Sequence, residues 1–71
     1  MTKSIYTATT TTVTYALMAQ RILSENGIEA RIVRPPAELA ARGCAYGIEF
    51  DAREKRRVRD LLERAGIRAT V

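Results

Sequence analysis

A small α+β sandwich with the element order βαββαβ is what the sequence predicts, on three observations. Strand-like runs at residues 5–9, 28–34, 46–50 and 67–71 are interrupted by two segments whose apolar residues recur at helical spacing, one after the first run and one after the third. The segment Leu23-Ser24-Glu25-Asn26-Gly27-Ile28-Glu29-Ala30 is echoed by Leu62-Glu63-Arg64-Ala65-Gly66-Ile67-Arg68-Ala69, so the chain reads as two related halves. Finally, 71 residues suffice for one domain, 1–71, and a chain this short buries only about 60% of the surface its unfolded form exposes. A deep substrate cavity is not expected.

The first strand, 5–9, is rich in β-branched and aromatic residues. Thr11 or Thr12 can then cap a helix carrying Val13, Ala16, Leu17, Ala19, Ile22 and Leu23 on one stripe, with Gly27 as its exit. The second strand, 28–34, stops at Pro35, which cannot donate to a ladder. A connection opening on Pro35-Pro36 leads to the third strand, where Tyr46, Ile48 and Phe50 alternate with Gly47 and Glu49. Asp51 with Glu54 resembles a capping box for a second helix, whose buried stripe is Val58, Leu61, Leu62 and Ala65. Gly66 ends that helix and 67–71 forms the last strand.

A doubled split βαβ unit is the ferredoxin-like plan: a four-stranded antiparallel sheet in the order 4-1-3-2 with both helices on one face. Right-handed crossovers then place the turn into the first helix and the loop between strands 2 and 3 at the same end of the sheet.

Composition removes several chemistries. The chain has no histidine and one cysteine, so neither a histidine base, nor a thiolate zinc site, nor an internal disulfide can be built, and no metal or resident cofactor is expected. No apolar run reaches secretory or membrane-spanning length, which predicts a cytoplasmic protein without a membrane partner. The net charge of +4, carried almost wholly by arginine, favours acidic partners. On the second helix, Arg53, Lys55, Arg56, Arg57, Arg59 and Arg64 are interleaved with Asp51, Glu54, Asp60 and Glu63, the pattern of a solvated face.

Cys44 is the one side chain with evident covalent chemistry. It lies between the small residues Gly43 and Ala45, which leave room for another protein's backbone. The topology places it near the amino end of the first helix and the hydroxyls of Thr10, Thr11 and Thr12, with Arg34 and Arg42 close by. Free helix N–H groups, hydroxyl donors and guanidinium charge would all favour the thiolate, below the usual thiol pKa of about 8.5. The plainer alternative is a packed cysteine: free cysteine is often buried, and Cys44 shares parity with Tyr46, Ile48 and Phe50.

A strand, a threonine-rich turn into an alanine-containing helix, a Gly-Ile helix exit and a proline-led loop reaching a cysteine together resemble the selenium/sulfur carrier-like family of small proteins. The resemblance spans nearly the whole chain and carries over Pro35, Cys44 and the threonines before the first helix. The chain has Pro35-Pro36 and Cys44-Ala45 where the family tends to Pro-Arg and Cys-Gly. The resemblance implies a carrier that holds a persulfide or selenopersulfide transiently on Cys44, between a donor such as a cysteine desulfurase and a protein acceptor. It would be a stoichiometric component without a substrate pocket of its own.

Two other functions are open to the same fold. Arg42-Gly43-Cys44-Ala45-Tyr46 partly imitates the strand 3 signature of RNA-recognition motifs, but Cys44 and Glu49 replace stacking aromatics, so nucleic acid is not the expected partner. A regulatory or assembly module with a structural cysteine would use the edge strand, where Glu29, Arg31 and Arg34 leave a homodimer possible.

Overall fold

The computed structural model describes residues 4–35, 37–43 and 45–71. Along the chain come β1 (Ile5–Thr10), α1 (Val13–Glu25), β2 (Arg31–Val33), the single turn α2 (Ala37–Ala40), β3 (Tyr46–Asp51), a 3-10 turn (Ala52–Glu54) and α3 (Lys55–Arg64). The three strands form an antiparallel sheet in the order β1-β3-β2. Beyond β1, the expected fourth strand contributes one bridge: Thr9 N–H donates to Thr70 O at 3.0 Å and Thr70 N–H to Thr9 O at 2.7 Å.

The pleat sorts the residues. Tyr6 faces Phe50 across the ladder and Ala8 faces Ile48, and these four point into the core with Ala19 and Leu23 of α1 and Val58 and Leu62 of α3. Both long helices therefore cover the same side of the sheet. Ala8, Ala16 and Ala19 are fully buried, and their small size lets α1 lie close on the strands. The apolar stripe written in the sequence is wider than the buried one. Val13 and Leu17 are 46% and 54% exposed, because Leu17 stands about 100° around the helix from the buried Ala16. On α3 Leu61 is half-buried and the C-cap Ala65 is exposed, leaving Val58 and Leu62 to fill the core.

The sequence echo between the two halves is a duplicated helix exit. After α1, Ile28 N–H donates to Leu23 O at 2.8 Å and Gly27 N–H to Ser24 O at 3.1 Å. After α3, Ile67 N–H donates to Leu62 O at 3.0 Å and Gly66 N–H to Glu63 O at 3.1 Å. Each is a Schellman motif, with glycine at φ +77° or +71°, and Ile28 and Ile67 bury their side chains beside Leu23 and Leu62. Arg57 links the two helices by donating to Asn26 O, the α1 cap residue, at 2.8 Å.

That exit also explains why β2 is shorter than residues 28–34. Ile28 N–H is turned back to α1, and Ala30 O accepts from Gln20 Nε2 at 3.2 Å, so the ladder begins at Arg31. At α3, Asp51 caps the 3-10 turn through Arg53 N at 2.9 Å, while Glu54 pairs with Arg57 at 3.5 Å instead of completing a capping box. The Asp51 carboxylate also grips the Arg53 guanidinium at 2.8 Å, and this hydrogen bond raises the arginine's pKa.

Candidate functional site

The turn between β1 and α1 meets the segment entering β3, as the topology requires. Thr10 pairs with Tyr46 at the end of the ladder, and Ala45 N–H donates to Thr10 O at 3.1 Å. Thr10 is buried at 2% exposure, and its hydroxyl is used locally: Oγ1 donates to Thr12 O at 3.0 Å and accepts from Thr12 N at 3.2 Å. Thr12 is the α1 N-cap, its Oγ1 accepting from Tyr15 N at 3.1 Å, and Thr11 is exposed. Two of the three threonines thus build the turn itself. Removing the cap with Thr12→Ala is expected to cost about 1 kcal/mol, read as a lower urea midpoint at unchanged slope.

On the other side of this junction lies an open cleft of about 930 Å³. Ile32 and Val33 of β2 form one wall, Ala37 and Ala40 of α2 a second, and Ala45 with Tyr46 a third, with Pro35 and Gly43 at the ends of the connection. Among the described lining residues Arg34 is the charged one. Gly43 closes the turn after α2 by donating to Ala40 O at 3.1 Å, with φ +92°, a backbone conformation that suits glycine alone among common residues. The α2 turn was not expected, although Ala37-Glu38-Leu39-Ala40 is a run of good helix formers.

Cys44 and Pro36 lie outside the described residues. The two chain neighbours of Cys44, Gly43 and Ala45, are exposed and both line the cleft. Arg34 and Arg42 are exposed, and among the described residues neither forms an ion pair. Of the residues singled out in the sequence, Thr10, Gly43, Ala45 and Arg34 therefore gather around one junction. The cleft itself went unforeseen.

Tyr46 is in step with Ile48 and Phe50 along β3, but it is half-buried and lines the cleft instead of joining the core. The opposite face shows Gly47 and Glu49 at the corresponding strand positions. A Cβ on Gly47 would come within 3.0 Å of Thr7 Cγ2 and 3.1 Å of Val33 Cγ2, so neighbours from both flanking strands close over the glycine. Gly47 and Glu49 give that face no aromatic stacking platform on β3. The cation-lined surface of Arg53, Lys55, Arg56 and Arg59 belongs to the far end of β3. There Lys55 Nζ sits 4.5 Å from the centre of the Tyr6 ring.

The architecture is thus a single-cysteine α+β domain whose cysteine is flanked in sequence by two residues of an open cleft. The chain belongs to the selenium/sulfur carrier-like family: the family model described as "Putative Se/S carrier protein-like" matches residues 5–70, nearly its whole length. Neither the curated proteins nor the solved structures include a match to it. Among the described residues no group of histidine, cysteine, aspartate and glutamate side chains is placed to hold a metal ion, and no helix is long and apolar enough to cross a membrane.

Proposed function

We propose that this protein carries a sulfur or selenium atom on Cys44 between a donor and an acceptor protein. The observation that carries the proposal is family membership over residues 5–70 in a chain with a single thiol. The setting supports it: the exposed Gly43 and Ala45 border an open cleft, and the segment is bonded to the turn that starts α1.

In the reaction, the Cys44 thiolate attacks the outer sulfur of a donor persulfide, R–S–SH. A new S–S bond forms to Cys44, the donor's S–S bond breaks, and its electron pair leaves on the donor sulfur as R–S⁻. The cargo keeps its hydrogen, giving Cys44–S–SH. An acceptor thiolate then attacks that outer sulfur and releases Cys44 as thiolate. No external oxidant or reductant is consumed, and selenium moves by the same displacement on R–S–SeH. A second cysteine in the chain would discharge the persulfide as a disulfide, so the lone thiol suits the task.

A cysteine desulfurase, whose reaction with free cysteine leaves a persulfide, is the chemical class of donor we propose, in a cytoplasmic setting that keeps thiols reduced. Incubation with such an enzyme and cysteine, followed by intact mass measurement, is expected to show one added sulfur atom on Cys44 that a thiol acceptor removes. A protein that stays at its starting mass while the desulfurase turns over would overturn the proposal.

A further inference from the structure

The two helix exits share a backbone and differ in one side chain. Where α3 ends on Ala65-Gly66, α1 ends on Asn26-Gly27, and Asn26 is the only asparagine in the chain. An asparagine followed by glycine carries both an electrophile and a nucleophile. The backbone nitrogen of the second residue can attack the side-chain carboxamide of the first, and glycine, with no Cβ, hinders that approach least.

The α1 exit restrains both reacting groups. Asn26 Nδ2 donates to Ile22 O at 2.8 Å, which turns the carboxamide back over the last turn of the helix. Gly27 N–H is committed to Ser24 O at 3.1 Å. With Asn26 at ψ 16°, the Gly27 nitrogen nearly eclipses the Asn26 nitrogen, whereas a five-membered ring closes only when it lies over Cβ. Arg57 Nη2 adds a third restraint by donating to Asn26 O at 2.8 Å, fixing the peptide plane that the attack must rotate. The restraints are nonetheless at the surface. Gly27 is exposed and Asn26 half-buried, so water reaches the junction, and a helix end of this kind opens at lower free energy than the whole domain.

We propose that Asn26 is a site of spontaneous modification gated by the α1 exit, at which the Gly27 nitrogen displaces ammonia from the Asn26 carboxamide whenever the exit opens. The Gly27 nitrogen gives its proton to solvent and bonds to Asn26 Cγ; the Cγ–Nδ2 bond breaks, and Nδ2 takes a proton from water and leaves as ammonia. Water then opens the resulting ring at one of its two carbonyls. Cleavage at Cγ gives aspartate, and cleavage at the backbone carbonyl gives isoaspartate, whose main chain runs through Cβ and Cγ. Nothing is oxidised or reduced. Aspartate re-forms the exit less well, since it has no Nδ2–H for Ile22 O and sets a negative charge at the negative end of the helix dipole. Isoaspartate adds a main-chain carbon just before Gly27. That shifts Gly27 and Ile28 out of register with Ser24 O and Leu23 O, the carbonyls they close, and loosens Ile28 from the core.

The test compares rates in the folded and unfolded protein. Samples are held at physiological temperature in buffer and in unfolding guanidinium chloride, and mass spectrometry of the tryptic peptide 22–31 follows the exchange of amide for carboxylate at Asn26. Conversion is expected to be at least about tenfold slower in the folded protein. Arg57→Gln should raise the folded-state rate about threefold or more, leave the unfolded-state rate unchanged, and speed hydrogen exchange at Gly27 by the same factor while Ile48 stays protected. Arg57 also pairs with Glu54, so Glu54→Gln, which removes that pair alone, should leave the folded-state rate as it is. Equal rates in folded and unfolded protein would overturn the proposal, as would no conversion in guanidinium chloride. So would Arg57→Gln speeding exchange at Gly27 and Ile48 alike, the mark of global unfolding in place of an opened exit. Isoaspartyl protein that regains wild-type protection at Gly27 and Ile28 would overturn the claim that this product cannot rebuild the exit.

Discussion

Phe50→Ala is expected to remove about 3–5 kcal/mol of folding stability and to bring the domain much closer to its unfolding threshold. Phe50 is 2% exposed at the centre of the core, and its ring lies 5.6 Å from that of Tyr6, directly across the β1–β3 ladder. Losing the ring opens a cavity beneath both helices. It also removes the surface against which Tyr6 packs, and Tyr6 in turn sits under the Lys55 ammonium. Globular domains hold about 0.05–0.15 kcal/mol per residue, so a chain of this size has roughly 4–10 kcal/mol in all. The single substitution takes a large share of it. Leu17→Ala, at a side chain 54% exposed, is the contrast and should change stability by less than about 0.5 kcal/mol. Urea unfolding followed by circular dichroism reads both; a Phe50→Ala midpoint close to the wild-type value would show that the core is not centred on this ring.

What the sequence made legible is largely what is decided locally. Gly27 and Gly66 mark helix exits because a positive φ with two closing hydrogen bonds is written into a few consecutive residues, and the Leu-Gly-Ile echo is that motif appearing twice. The alternation on β3 puts Ile48 and Phe50 in the core, since a strand has a period of two wherever it pairs, whereas Tyr46, in step with them, is half-buried at the cleft. The ends of β2 are a different matter. They depend on Gln20, ten residues before Ala30, and on the bond from Ile28 back to α1, neither of which is a property of residues 28–34. Likewise the apolar stripe from Val13 to Leu23 does not record how narrow the contact with the sheet is, which leaves Ala16, Ala19 and Leu23 as the buried residues of α1.

The site divides along the same line. That Thr10 and Ala45 meet follows from strand order and crossover handedness, and the Ala45–Thr10 hydrogen bond is where they join. The threonine hydroxyls, by contrast, are spent on the turn and the N-cap, a local use that their position before Val13 already suggested. The cleft could not be read in advance because its walls come from β2, α2 and the start of β3 together, and the α2 turn that shapes it is hidden in a connection headed by proline.

Cys44→Ser is expected to reduce sulfur uptake to background under conditions where the wild type gains one sulfur atom. A serine hydroxyl is not ionised near neutral pH and offers no sulfur to form the S–S bond, and with one cysteine in the chain no second thiol can substitute. The loss is therefore complete, and no folding defect need accompany it for the conclusion to hold, since the unfolding transition can be measured on the same sample. Gly43→Val supplies the graded counterpart. Nothing lies within 4 Å of the place a Cβ would occupy there, so the side chain meets no obstacle, but φ +92° is strained for valine by about 1–2 kcal/mol. The turn between Ala40 and Ala45 should relax to relieve that strain. The thiol is retained, so uptake should still reach one sulfur per chain but more slowly. If Gly43→Val loads at the wild-type rate, the turn does not present Cys44 to the donor; if Cys44→Ser still gains sulfur, the cargo is held elsewhere and the lone thiol is not the carrier.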